Sequence, residues 1–198
     1  MTEATPTVIT ESLDLLHAAA AMINETNEKA PTPCTEWTVA QVLQHAAGDQ
    51  LAWAATLGVG TGPAGNPFAP SGHLEGGVND LLDPALATAR TAWAAIGHDR
   101  PAVPTPLPPG ELPVSVAAAA CALDAAIHAW DIAAALGQPG FLSDDLATQI
   151  LPARAIIEPL RQFGVYAAAL APQPADGPAA ELLRYLGRDP QWQAADQA

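Results

Sequence analysis

The sequence predicts an all-α protein: a helical bundle with an additional short C-terminal helix and long connections rich in Pro and Gly. Three observations carry this. Apolar residues recur at helical spacing in several long segments, and no stretch alternates apolar and polar residues convincingly enough to be a strand. Ala dominates the 49% of the chain that is hydrophobic, and Ala is the strongest helix former. The 20 prolines and 15 glycines cluster between those segments, where they punctuate rather than interrupt helices. At 198 residues, a single domain covering residues 1–198 is expected, and it is long enough to bury a sizeable core.

The first helix is expected at residues 7–28, where Val8, Leu13, Leu15, Leu16, Ala19, Ala20 and Ile23 form a broad apolar stripe. His17 lies in it with no partner at a suggestive spacing, so a surface role is expected. A rigid Pro-containing connector, residues 30–35, follows. Thr35 is the expected cap of a second helix over residues 36–57. Val39, Val42, Leu43, Ala46, Trp53 and Leu57 form its core stripe. His45 stands on the flank of that stripe, near Asp49 and Ala52, where a side chain can face a pocket.

Residues 58–80 form a Gly/Pro-rich loop containing Phe68 and His73. A loop this long without periodicity is functional or poorly ordered, and its position after the His45 helix lets it cover a pocket. The third helix is expected over residues 82–96, with Pro84 in its first turn. His98 follows the stop at Gly97 and is expected in solvent. Six prolines between Pro101 and Pro113 predict an extended, polyproline-like connection. The fourth helix, residues 113–137, has apolar residues on more than one face, so it should be central. Ser143 caps a fifth helix over residues 144–163, which Pro152 and Pro159 should kink or divide. A short last helix spans residues 179–186 and stops at Gly187.

The central helix holds the most informative spacing. Asp124 and His128 are one turn apart and Asp131 is three residues further on, so all three fall within an arc of about 60°. Ala117, Cys121 and Ala135 share that face. A carboxylate and an imidazole inside a central helix need partners, because unpaired buried charge is costly. A metal cation supplies one. His45 is the best candidate for a third ligand, and Cys121 competes for the role. Two imidazoles and one carboxylate suit Zn²⁺ first, with Ni²⁺, Fe²⁺, Mn²⁺ or Co²⁺ as alternatives, and leave a position open for water or substrate. Asp131 is placed to orient an imidazole, or to hold its helix against a neighbour such as Arg154. A polar network inside a bundle, without metal, is the plainer alternative.

The formal charge of −14 argues against nucleic acid and anionic membranes as partners. Cys34 and Cys121 do not make a disulfide scaffold. The N-terminus lacks the basic and apolar regions of a signal peptide, so a cytoplasmic location is expected. There is no G-x-S-x-G elbow, phosphate loop, C-x-x-C or H-E-x-x-H.

Three stretches together carry a family resemblance: TPCTEWTVAQVLQHAAGD (residues 32–49), LDAAIHAWDIAAALG (residues 123–137) and LLRYLGRDPQW (residues 182–192). The chain resembles, over about residues 8–192, actinobacterial proteins related to the metal-binding domain of mycothiol-dependent maleylpyruvate isomerase, in the DinB-like superfamily. The resemblance implies a four-helix bundle whose divalent metal is held by one His of the second helix and an acid-x-x-x-His pair of a later one. Those positions match His45, Asp124 and His128. Two departures are expected to matter: Asp124 replaces the family's Glu, and the isomerase's additional C-terminal domain is not expected here. The implied activity is that of a metal-dependent thiol transferase or isomerase acting on a small electrophile, with mycothiol as the thiol. The alternative is a non-catalytic protein that binds metal or small molecules. A homodimer is consistent with such bundles.

Overall fold

The computed structural model describes residues 6–97, 99–162 and 164–194. Its elements are α1 (Thr7–Ala20), α2 (Val39–Thr56), α3 (Val78–Ala94), β1 (Ala102–Pro104), β2 (Glu111–Pro113), α4 (Val114–Ala135), α5 (Asp144–Ile150), α6 (Arg154–Arg161) and α7 (Pro178–Tyr185). The chain is therefore mostly helical. α4 packs on α1 and α2, while α3 packs on α2 and α1. Ile9, Leu16, Leu43, Trp53, Trp93 and Trp130 belong to one continuous apolar cluster. α4 is buried along nearly its whole length. It is long and apolar enough to cross a membrane by length and composition, but 89% of its most apolar window is buried within the protein.

The differences from the expected elements have local causes. α1 stops at Ala20 rather than at residue 28, because Asn24 and Asn27 turn their side chains onto nearby backbone. Asn24 Oδ1 accepts from the Thr26 amide at 2.9 Å and Asn27 Nδ2 donates to the Met22 carbonyl at 2.9 Å. Such bonds offer the backbone an alternative to the helix. α2 starts at Val39, with Thr38 rather than Thr35 as its cap. Thr38 and Gln41 form a reciprocal capping box, and the Thr38 amide donates to Gln41 Oε1 at 3.0 Å. The amides of Val39 and Ala40 donate to the carbonyls of Ala30 and Glu28, so the connector itself satisfies the helix start.

α3 begins earlier than expected, so Pro84 lies inside the helix rather than in its first turn. Complete burial of Leu82 and near-complete burial of Ala85 and Leu86 offset the lost backbone bond. The absence of strands also requires correction. β1 and β2 form an antiparallel ladder that pairs Val103 with Leu112. Both of those side chains face the core, while Pro104 and Pro113 occupy strand ends, where a missing N–H is tolerated. The expected fifth helix divides at Pro152, as its prolines predicted: a 3₁₀ turn, Leu151–Ala153, separates α5 from α6. Ser143 caps α5, accepting from the Leu146 amide at 3.2 Å. The expectations for His98 and for Phe163 at a helix end lie outside the described residues.

Candidate metal centre

The contact of α2 with α4 brings His45 to the Asp124/His128 face. His45 Nε2 lies 3.3 Å from Asp124 Oδ1, and His128 Nε2 lies 3.5 Å from the same oxygen. One ligand-type atom from each residue lies within 4.8 Å of the others. The two imidazoles meet edge to face, with ring centroids 4.8 Å apart. Metal bonds of about 2.0–2.1 Å in a tetrahedral site place ligand atoms roughly 3.3–3.4 Å apart, close to both measured separations. The second oxygen, Asp124 Oδ2, is buried without a hydrogen-bond partner. A carboxylate oxygen left in that state costs on the order of 1–3 kcal/mol, and a bound cation removes the deficit. The donor set, its spacing and the unpartnered oxygen all fit a small divalent metal.

Both imidazoles are aimed from behind. His45 Nδ1 bonds the Pro67 carbonyl at 2.9 Å, and the ring is flanked by Trp37 and Phe68 at centroid distances of 4.7 and 5.3 Å. His128 Nδ1 bonds Asp131 Oδ2 at 3.0 Å. In each case the back nitrogen faces an acceptor and is the one to keep a proton, which leaves Nε2 as the nitrogen turned to Asp124 and open to a metal once its own proton is displaced. The loop after α2 thus helps to build the centre. Its approach depends on Gly48, where an added Cβ would lie 2.9 Å from Pro67 Cβ.

Asp131 faces His128, as its spacing predicts, but Arg154 is not its partner. Arg188 is, through Nε to Oδ1 at 2.8 Å and Nη2 to Oδ2 at 2.7 Å. Arg154 lies over the Tyr185 ring, 4.1 Å from its centroid, because α6 directs it toward α7. Cys121 does not join the cluster either. Trp93 Nε1 donates to its sulfur at 3.3 Å, and the thiol donates to Gln50 Oε1 at 3.2 Å, which ties α2, α3 and α4 together. His17 is exposed and lies 3.4 Å from Asp83. His73 borders a separate shallow depression with Gln44, Leu74 and Leu81.

The centre opens into a cavity of about 580 Å³. Its walls include Cys34, Trp37, Asp49, Phe68, Tyr166 and Arg188. Of these, the sequence singled out only Phe68, within the loop placed to cover a pocket. The available signals were weak: Asp49 is one turn beyond His45, and Arg188 follows the stop glycine of the last helix.

Charge and burial set the protonation states. Burial lowers the His45 pKa, but the hydrogen bond and charge of Asp124 outweigh it and hold the imidazole above its usual value. Burial raises Asp124, but the two histidines bring it below the ordinary carboxylate range. Burial together with the Asp124 charge lifts Asp49 to about 8. Asp131 is raised by burial yet brought to about 2 by Arg188 and His128. Burial pushes the Cys34 thiol up to about 11.

An α-helical scaffold with two histidines and a carboxylate converging at the foot of a cavity defines a candidate metal-binding helical domain. Residues 9–133 match the family described as the mycothiol maleylpyruvate isomerase N-terminal domain. The chain belongs to that family. Two uncharacterised Mycobacterium tuberculosis proteins, one from strain CDC 1551 and one from strain H37Rv, are each 34% identical to it over 187 residues. Each alignment covers 88% of this chain and 92% of the relative. No solved structure matches it.

Proposed function

We propose that His45 Nε2, the Asp124 carboxylate and His128 Nε2 hold a divalent metal, Zn²⁺ first among the candidates, and that the cavity above it takes a low-molecular-weight thiol of the mycothiol type and a small electrophile. The protein would then be a metal-dependent thiol transferase or isomerase. The observation that carries this reading is the convergence of three ligand atoms within 4.8 Å beside the buried, unpartnered Asp124 Oδ2. Family membership supports it, as does the packing of α1–α4, which fits a DinB-like four-helix bundle within a single domain.

A divalent cation at this position lowers the pKa of a coordinated thiol and supplies thiolate near neutral pH. The remaining work falls to the chain. Asp49 lines the same cavity, and its carboxylate is placed to accept the thiol proton. Trp37, Phe68 and Leu107 provide apolar wall against which an electrophile packs away from water. A second reading, a non-catalytic binder, rests on Asp124 standing where the family has Glu. A cytoplasmic location and a homodimer complete the proposal.

The test is in two parts. Metal content of the purified protein, measured with His45→Ala and His128→Ala alongside, should show about one divalent ion per chain in the parent and a large loss in both variants. The metal-loaded protein is then incubated with mycothiol and a panel of small electrophiles, including cis-unsaturated keto acids. Conjugation or isomerisation supports the enzyme. Metal without turnover across the panel supports the binder, and absence of metal from the parent overturns the metal site and the enzyme reading built on it.

A further inference from the structure

We propose that Arg188 is a positioning residue of the metal centre, acting through Asp131 and His128, so that the C-terminal segment beyond the family-matched domain is a working part of the site. The inference rests on the metal reading above. Its observations are separate from those that support the ligand trio.

Arg188 lies 57 residues after Asp131 in the chain and beyond the family match, which ends at residue 133. Its guanidinium grips Asp131 side-on: Nε donates to Oδ1 at 2.8 Å and Nη2 to Oδ2 at 2.7 Å. Two parallel charge-assisted bonds fix the plane of a carboxylate as well as its position. Asp131 is fully buried, so no water competes for those oxygens. Oδ2 also receives His128 Nδ1 at 3.0 Å. With Oδ2 pinned by Arg188, the imidazole has a fixed acceptor behind it, and its Nε2 is directed at Asp124, 3.5 Å away. The sequence of contacts is therefore guanidinium, carboxylate, imidazole, ligand position.

Arg188 is itself aimed by the fold. Nη1 donates to the Leu186 carbonyl at 3.3 Å. The preceding residue, Gly187, has φ +81, a left-handed conformation that other residues rarely adopt. A Cβ there would lie 2.7 Å from the Ala167 side chain and 2.8 Å from the Ala168 carbonyl. The tight turn after α7 thus delivers the arginine against the cavity, and Arg188 forms part of the wall. Nothing on α4 itself could replace it: among the described residues Asp131 has ion-pair contacts only with His128 and Arg188.

The test compares full-length Arg188→Met, Arg188→Lys, Asp131→Asn, the double variant Asp131→Asn/Arg188→Met and a control, Arg184→Met. Arg184 is also a buried arginine from the same C-terminal region, paired with Asp176 at 2.9 Å, but it does not contact the centre. Metal-free unfolding shows that each variant folds. Zn²⁺ affinity is read by competition with a chelator at one fixed pH, and the ligand field by the visible spectrum of the Co²⁺ form. Arg188→Met should weaken metal binding by about 10–100-fold, the range for loss of groups that orient ligands, and should shift the Co²⁺ bands. Arg188→Lys should restore part of the affinity. The double variant should bind no more weakly than Asp131→Asn alone, because the two residues act in one relay. Arg184→Met should leave affinity and spectrum unchanged. Equal affinity in the parent and Arg188→Met, equal loss in Arg184→Met, or additive losses in the double variant would overturn the inference. A parent that binds no metal would instead overturn the metal reading.

Discussion

Replacing Gly48 with Ala sets a helix gain against a loss at the metal centre. Gly48 lies inside α2, where Ala is favoured over Gly by about 0.8–1 kcal/mol. The added Cβ would stand 2.9 Å from Pro67 Cβ and 3.7 Å from Pro63 Cβ. Carbon atoms pack favourably at roughly 3.5–4.0 Å, and a proline ring cannot rotate away. The loop must therefore move by roughly 0.6–1 Å. The Pro67 carbonyl that holds His45 Nδ1 at 2.9 Å then moves to about 3.5 Å or beyond, past the range of a useful hydrogen bond. That loss costs about 0.5–1.5 kcal/mol net, which cancels most of the helix gain. Metal-free Gly48→Ala should unfold in denaturant within about 1 kcal/mol of the parent. Its metal affinity should fall roughly tenfold, because His45 has lost its orienting acceptor. Chelator competition and denaturant unfolding of the metal-free protein measure the two effects separately. A variant that gains the full helix increment and keeps the parent's affinity would refute the argument that Pro67 orients His45.

Three further outcomes follow from the site. His45 is held above its usual imidazole pKa by Asp124, so metal must displace a proton; affinity should rise with pH across the neutral range, by up to about tenfold per unit for one proton, and calorimetry in buffers of different ionisation enthalpy should detect its release. Asp131 has a folded pKa of about 2 against about 3.9 unfolded, so its contribution is present above about pH 4 and lost as pH falls toward 2. The amount is on the order of 2–3 kcal/mol, and acid unfolding of Asp131→Asn should lack that component. Asp49→Asn should keep the metal and lose turnover of any electrophile that the parent processes, by about 10²–10⁴-fold for a lost general base; unchanged turnover would remove Asp49 from the reaction.

The helices were legible because burial imposes a period. α4 could be bounded closely from Pro113 and Gly137 because its start and stop chemistry is local. The misplacements arose where two local signals competed. Thr35 and Thr38 both resemble helix caps, and only the Gln41 side chain, which completes a box with Thr38, decides between them. Pro84 looks like a helix start, yet the burial of Leu82 and its neighbours carries the helix through it. The β1–β2 ladder was hidden because its strands are only three residues each, end in Pro104 and Pro113, and lie in a proline-rich stretch that ordinarily excludes strands. Only the pairing of Val103 with Leu112, a contact across the hairpin, makes the two segments strands.

At the site, legibility tracks the separation of the interacting residues. Asp124, His128 and Asp131 lie on one helix face by arithmetic alone. His45 could be nominated because a histidine on the flank of a core stripe can face a pocket, and the Asp124/His128 face lacked a third ligand. Arg188 could not be, because no periodicity relates a residue after α7 to one in α4; Arg154 was the more natural choice on an adjacent helical segment. The distinction has a physical basis. A helix sets the direction of its own side chains, so it can present the ligands, but it cannot fix how their imidazoles rotate. That rotation is set by acceptors behind the rings, and each is fixed by distant chain: the Pro67 carbonyl belongs to the loop after α2, and Asp131, on α4 itself, is held by Arg188 of the C-terminal turn. The ligand set is therefore encoded locally and its aim is encoded by tertiary contacts, which is why substitutions at Gly48 and Arg188 should reach the metal without altering a single ligand.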